Sequence, residues 1–281
     1  MPDTAGGSVL SWRDAWEKLK HPAFDAVRSS LETLPGTEWP GIAALNQRLH
    51  GIRNHRQVEL KFVDPVAGAA LGQHYELRIA EAGEIATRAN WHDLFNALAW
   101  TAFPRAKSAI SEMHARIIAS RGEAELKRRS VARDVLTLFD ESGAIVVSES
   151  RDLLETLRNF GWKKLFWERR GDWQDQARVY LFGHALMEKM LVPHIGVTAK
   201  CVLFEAPAGW LAAHDAAGQL AELDRRTADY FMEPAHLSST RSLQPLPLLG
   251  IPGWDARAEA QAFYDDASYF RPGYSRPRRV Q

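Results

Sequence analysis

The sequence predicts an α+β fold, mainly helical, with a few β-hairpins or one small mixed sheet. Three observations predict it. Apolar residues recur at helical spacing over several long stretches, period-2 alternation is confined to short ones, and strand and helix signals do not alternate regularly as in a doubly wound sheet. The 281 residues, 46% of them hydrophobic, supply a core for one large domain. The expected organisation is an N-terminal segment over 1–20, a single globular unit over 21–272 and an Arg-rich tail over 273–281.

Pro22 opens a helix through Leu34, with Phe24, Val27 and Leu31 on one stripe, and Pro35-Gly36 ends it. Ile42 to Leu49 is a second, short helix. Gln57 to Val63 alternates, with Val58, Leu60 and Phe62 on one side, and predicts a half-buried strand stopped by Asp64-Pro65. His74 to Ile79 alternates too; Ala82-Gly83 then turns the chain, and Glu84 to Thr87 returns as a hairpin partner. Asn90 caps a helix from Trp91 to Phe103 that is apolar nearly all round, which predicts burial. After Pro104 a second helix runs from Ala106 to Ile118. Val135 to Phe139 and Ala144 to Val147 flank Asp140-Glu141-Ser142-Gly143, which predicts another hairpin. Arg151 to Phe160 is helical, Gln174 to Val192 is one long helix ended by Pro193, Ala199 to Phe204 is a strand and Leu220 to Met232 a helix. Leu243 to Gly253, with Pro245, Pro247 and Pro252, is an extended loop, and the tail with Arg271, Arg276, Arg278 and Arg279 is expected to move freely.

Lys plus Arg and Asp plus Glu both number 35, so no global field argues for nucleic acid or a membrane. A local patch of Lys127, Arg128, Arg129 and Arg133 is the candidate for phosphate contacts. Cys201 is the only cysteine, which rules out an intramolecular disulfide and suits a reducing compartment; its apolar surroundings mark a structural thiol. Met1 to Leu10 lacks a basic-then-apolar leader and no run of ~18 apolar residues occurs, so a cytoplasmic location without a membrane span is expected. The ten Trp imply a bulky core, or in part a Trp-lined pocket.

Five strings stand out: Asn90-Trp91-His92-Asp93-Leu94-Phe95-Asn96-Ala97-Leu98-Ala99-Trp100, Arg133-Asp134-Val135-Leu136-Thr137-Leu138-Phe139-Asp140-Glu141, Phe182-Gly183-His184-Ala185-Leu186-Met187-Glu188-Lys189, Leu248-Leu249-Gly250-Ile251-Pro252-Gly253-Trp254 and Phe263-Tyr264-Asp265-Asp266. Together they resemble a bacterial family catalogued as domain of unknown function three thousand and twenty-five. The resemblance runs from about His21 to Pro272. It implies a bacterial, proteobacterial source, and carries over no activity, cofactor or catalytic residue.

Three polar clusters are candidates for chemistry. His92, Asp93 and Asn96 ride the buried helix, with His92 and Asn96 on one face. The bland alternative is that Asp93 helps the helix N-terminus and the other two bond backbone. His184 and Glu188, four apart, suit ligands of one divalent metal ion, though many helices carry such a pair on the surface. Asp134, Asp140 and Glu141 form an acidic group, the last two in an expected solvated turn, with His114 one helix earlier. The expected catalytic set is His92, Asp93, Asn96 and Asp134, and the expected metal ligands are His114, His184 and Glu188. A hairpin over 74–87 feeding the His92 helix would also match, topologically, a small ββα metal nuclease, with His74 or His92 activating water. No G-x-G-x-x-G, P-loop, G-x-S-x-G, C-x-x-C or His-x-x-x-His pattern occurs, which disfavours nucleotide cofactors and serine-hydrolase chemistry.

Three functions compete. One is a metal-assisted hydrolase of the phosphoester class, which requires the scattered His and carboxylates to converge. The second is a non-catalytic binding or scaffold protein exposing aromatic strings such as Trp162 to Trp173 and Leu246 to Trp254. The third is a metal-free enzyme with a Trp-lined pocket.

Overall fold

A computed structural model describes residues 11–34, 39–65, 74–122, 125 and 127–273. The fold is α+β and mainly helical, as the apolar periodicity predicts. Near the N-terminus Trp12, Ala15, Leu19 and Phe24 bury in the same apolar cluster as the later helices. The helix expected from Pro22 is two short pieces, Pro22–Val27 and Arg28–Glu32, and the Pro35-Gly36 stop lies outside the described residues. Helix α1 (Ile42–Leu49) forms as expected. The strand expected over 57–63 is only β1 (Lys61–Val63). Asn54 explains the shortening: its Oδ1 accepts from the backbone N–H groups of Arg56 and Val58 and closes a turn with Gln57 at φ 64.

The first hairpin is not there. Tyr75–Ala82 is a helix, α2, and β2 (Glu84–Ala86) runs parallel to β1. The segment Tyr75-Glu76-Leu77-Arg78-Ile79-Ala80 is too short for alternation to outweigh its good helix formers. His74 supplies an N-cap and Gly83, at φ 68, a left-handed C-cap, so the apparent turn glycine is a helix stop. The ββα nuclease reading falls with the hairpin.

Helix α3 (Trp91–Ala102) is capped by Asn90, whose side chain accepts from Asp93 N–H, and is buried nearly all round. Pro104 interrupts the helical run as expected and itself opens α4 (Pro104–Arg121), because the first turn needs no proline N–H. The second hairpin is also absent. Val131–Ser142 is a helix, α5, that runs without a loop into β3 (Gly143–Ser148). Val135, Leu136 and Phe139 are its buried apolar stripe, a helical spacing that the local alternation masks. Then come α6 (Arg151–Arg158), α7 (Arg170–Gln176), β4 (Ala177–Leu181), α8 (His184–Leu191), β5 (Thr198–Glu205), α9 (Ala216–Met232) and β6 (Gln244–Pro247). The long helix expected over 174–192 is therefore helix, strand and helix, broken at Phe182-Gly183. The expected proline-rich loop contributes β6, an edge strand where missing N–H groups do no harm.

The larger sheet is mixed, in the order β4-β3-β5-β6, with β3 parallel to β5 and antiparallel to β4. Its central strand β3 is buried at every position, because both faces are covered. Ala144, Val146, Ala199, Cys201 and Leu246 face one apolar cluster, with α1, α3, α6 and α8. Ile145, Val147, Val202 and Phe204 face the other, with α4, α5 and α9. Cys201 sits in this core, where burial pushes its thiol pKa up, as a structural thiol requires. The aromatic strings expected at the surface are core instead: Trp162, Phe166, Trp173, Leu248 and Leu249 are all buried. Their apolar area is larger than their polar tips, so burial wins.

A close approach of backbone to backbone joins β4 to α8. Gly183 N–H and Phe182 N–H both donate to Gly143 O, at 2.9 and 3.0 Å. A Cβ on Gly183 would lie 2.5 Å from Glu141 O, Ser142 N and Gly143 N, all backbone atoms that cannot swing away. Gly183→Ala is expected to destabilise the protein by about 1–3 kcal/mol, read as a fall of several degrees in melting temperature; an unchanged melt would refute the close-approach account.

Candidate functional site

Five helices converge on a pocket of about 450 Å³ beside the α5–β3 junction. Helix α5 sets its axis. Arg133, Thr137, Asp140 and Glu141 follow one another at steps of four, three and one, so they share a face, and all four line the pocket.

At the C-terminal end of that face three ligand-type groups meet. His92 comes from α3, Glu141 from α5 and His184 from the first position of α8, and one donor atom from each lies within 4.8 Å of the others. His92 Nε2 faces His184 Nε2 at 3.1 Å, and His184 Nε2 lies 3.5 Å from Glu141 Oε2. On the far side of each ring stands a carboxylate. His92 Nδ1 is 3.2 Å from Glu188 Oε2, and His184 Nδ1 is 3.8 Å from Asp140 Oδ2. A carboxylate accepts, so the bond to Glu188 puts the hydrogen of a neutral His92 on Nδ1 and turns its Nε2 lone pair toward His184, whereas His184 Nδ1 is buried without a hydrogen-bond partner among the described residues. Burial pushes the pKa of His184 down to about 4, with Lys107 and His92 adding to the effect and Asp140 opposing it, so this ring is neutral. Burial and the neighbouring Asp140 raise that of Glu141.

Beneath these groups Lys107 of α4 is almost wholly buried. Its ammonium donates to Asn96 Oδ1 at 2.8 Å and Asp140 Oδ1 at 2.5 Å, and packs against the rings of Trp100 and Phe182. Burial alone would raise the pKa of Asp140; the ammonium and His184 outweigh it and hold the carboxyl below its ordinary value. Asn96 Nδ2 in turn donates to Tyr75 Oη at 3.2 Å.

The N-terminal end of the α5 face is cationic. Arg133, 3% exposed, donates from Nε to His114 Nδ1 at 3.2 Å and from Nη1 to Glu125 O at 2.6 Å. Burial and Arg133 together push the pKa of His114 down to about 3, so it stays neutral. Glu76 is half-buried as a residue, but its carboxyl tip is enclosed by the pocket. Burial, then Asp140, pushes its pKa up to about 7 against the pull of Lys107 and Arg133.

The structure thus brings His92, Asn96 and His184 of the expected site together and sets Glu188 behind His92. Asp93 lines the pocket but is taken up by Arg88, through both the guanidinium and the backbone N–H. His114 lines it as the acceptor for Arg133. Asp134, half-exposed and 4.0 Å from Arg129, stands outside the lining. The basic patch divides: Lys127, Arg128 and Arg129 are exposed, whereas Arg133 turns inward. No Trp lines the pocket. Sequence reasoning gave no site role to Lys107 and Glu76 and placed Glu141 in a solvated turn. The 133/137/140/141 spacing is the signal that would have found Glu141; nothing local marks Lys107.

Lys107→Met is expected to leave the carboxylate of Asp140 uncompensated and to destabilise the fold by about 3 kcal/mol at pH 7. Because the wild-type pKa of Asp140 is lowered, its contribution is present above the unfolded value and disappears as pH falls through the folded one. The deficit of the variant therefore shrinks in acid, and Lys107→Met/Asp140→Asn recovers part of it. Chemical denaturation at pH 7 and pH 4 measures both, and a pH-independent deficit would contradict the pairing.

No curated protein and no solved structure matches the chain. The family model described as "Protein of unknown function (DUF3025)" matches residues 60–274, a span that contains every residue of the pocket described above. The chain belongs to that family.

Proposed function

We propose that the protein is a metal-dependent hydrolase whose His92, Glu141 and His184 hold one divalent first-row ion, and whose substrate belongs to the phosphoester class. One observation carries the reading: two imidazole Nε2 atoms from different helices face each other at 3.1 Å, with a carboxylate oxygen of Glu141 in the same group of atoms within 4.8 Å of one another. Two donors each ~2.0–2.1 Å from one ion, at angles between octahedral and tetrahedral, sit ~2.9–3.4 Å apart, which supports a shared ion. A His₂Glu set with open positions is the catalytic zinc arrangement, and carboxylates behind the imidazoles orient such ligands.

Such an ion would acidify a bound water and polarise the phosphoryl group. Glu76, with its pKa near 7, suits the acid–base group that moves the proton. Asp140, held ionised by Lys107, would fix the His184 ring. Arg129 and Arg133 supply positive charge for an anionic substrate.

Elemental analysis of the purified protein is expected to find close to one zinc or manganese per chain, and His184→Ala to lose it. Iron as the only retained metal would move the site to the oxygen-activating class and remove the hydrolytic reading. No retained metal, with no thermal shift on adding zinc or manganese, would remove the metal reading altogether. Against a panel of phosphomonoesters, Glu76→Gln is expected to lower kcat about 10²–10⁴-fold while metal content stays unchanged; equal kcat values would exclude Glu76 as the proton carrier.

A further inference from the structure

The same pocket holds a second pair of facing nitrogens. His74 caps α2, and its Nδ1 accepts from the backbone N–H of Glu76 at 3.4 Å. A backbone N–H only donates, so Nδ1 is the acceptor and Nε2 carries the hydrogen. That Nε2 lies 3.4 Å from Arg133 Nη2, which has only hydrogens to offer. Two donors meet with no acceptor between them. The other faces of the Arg133 fork are engaged by His114 and by Glu125 O, so it is locked in this orientation. Arg129 is anchored beside it by a 3.0 Å bond from Nη1 to Thr137 Oγ1, and 51% of its side chain remains exposed. Among the described residues, the carboxylates paired with the two guanidinium groups, Glu125 with Arg133 and Asp134 with Arg129, lie at 3.9 and 4.0 Å, beyond hydrogen-bond reach.

An oxygen ~2.8–2.9 Å from each of two nitrogens this far apart would satisfy both. The oxygens of a phosphate would also reach Arg129 at the pocket wall. We infer that His74, Arg129 and Arg133 form an oxyanion subsite that grips a non-reacting phosphate of the substrate. Arg133 and Glu141 are eight residues apart on α5, so their positions are separated by ~12 Å along the helix, more than one phosphate spans. The substrate class is therefore a small organic phosphate with two anionic groups, one presented to the metal and one held at the arginines. A pocket of about 450 Å³ is the size for such a molecule. The assignment of the substrate rests on the hydrolase reading; the subsite itself does not need the metal.

The test separates the two. Inorganic phosphate is titrated calorimetrically into protein stripped with EDTA. One phosphate per chain is expected to bind the stripped protein. Arg129→Ala, which removes a half-exposed side chain, and His74→Phe are each expected to weaken binding at least tenfold, with the metal content of unstripped protein unchanged. Binding that vanishes with EDTA, or that survives Arg129→Ala undiminished, would place the phosphate on the metal or elsewhere and overturn the subsite. If no metal is ever retained but phosphate still depends on Arg129, the subsite stands and the hydrolase reading falls.

Discussion

The close approach of Gly183 to the end of α5 is the contact on which the site depends. Helix α5 passes into β3 with no intervening loop, and β4 returns beside β3 to end at Leu181. Only a residue without a Cβ can then rest on the backbone of 141–143. The next residue is His184, and the two before the junction are Asp140 and Glu141. One backbone contact therefore fixes an imidazole against two carboxylates that lie more than forty positions away in the chain. Helix α3 completes the group, because its apolar circumference seats it against α8 and brings His92 into line.

Lys107 plays a comparable part in the electrostatics. A buried ammonium is costly unless its donors are met. Here Asn96 and Asp140, from two other helices, meet two of them and aromatic faces surround the rest. This makes Lys107 a pin through α3, α4 and α5, and it keeps a charged carboxylate available beneath His184. Glu76 has the opposite surroundings and keeps its proton to near neutrality. Two pocket carboxyls thus titrate in different ranges because of what stands next to each.

The pocket face of helix α5 is charged against the helix dipole, while Asp134, outside the pocket lining, takes the favoured place of a carboxylate in the first turn. Arg133 lies in the first turn, where carboxylates are favoured, and Asp140 and Glu141 lie in the last, where cations are favoured. Each misplacement costs about 0.3–1 kcal/mol at an exposed terminus. Stability alone would not select this order. It is explained if one face of the helix holds a cation at one end and an anion at the other, with the facing Nε2 atoms of His92 and His184 and the facing donors of His74 and Arg133 as the two receptors.

The sequence by itself determined the class of fold, the capped apolar helix at Asn90, the strand at Ala199 to Phe204, the buried thiol of Cys201 and the candidacy of His92, Asn96, His184 and Glu188. Those follow from periodicity, capping chemistry and the rarity of polar groups in apolar runs, all of which are local. The tertiary structure decided α2 and α5, which alternate like strands over a few residues and become helices because their longer-range stripes find apolar partners. It alone also decided that Glu141, in an apparent turn, faces two imidazoles, and that Lys107 and Glu76 belong to the pocket. The physical reason is distance along the chain: a close approach such as Gly183 on Glu141, or an ammonium shared by three helices, exists only once separate segments pack, and no spacing within either segment records its partner.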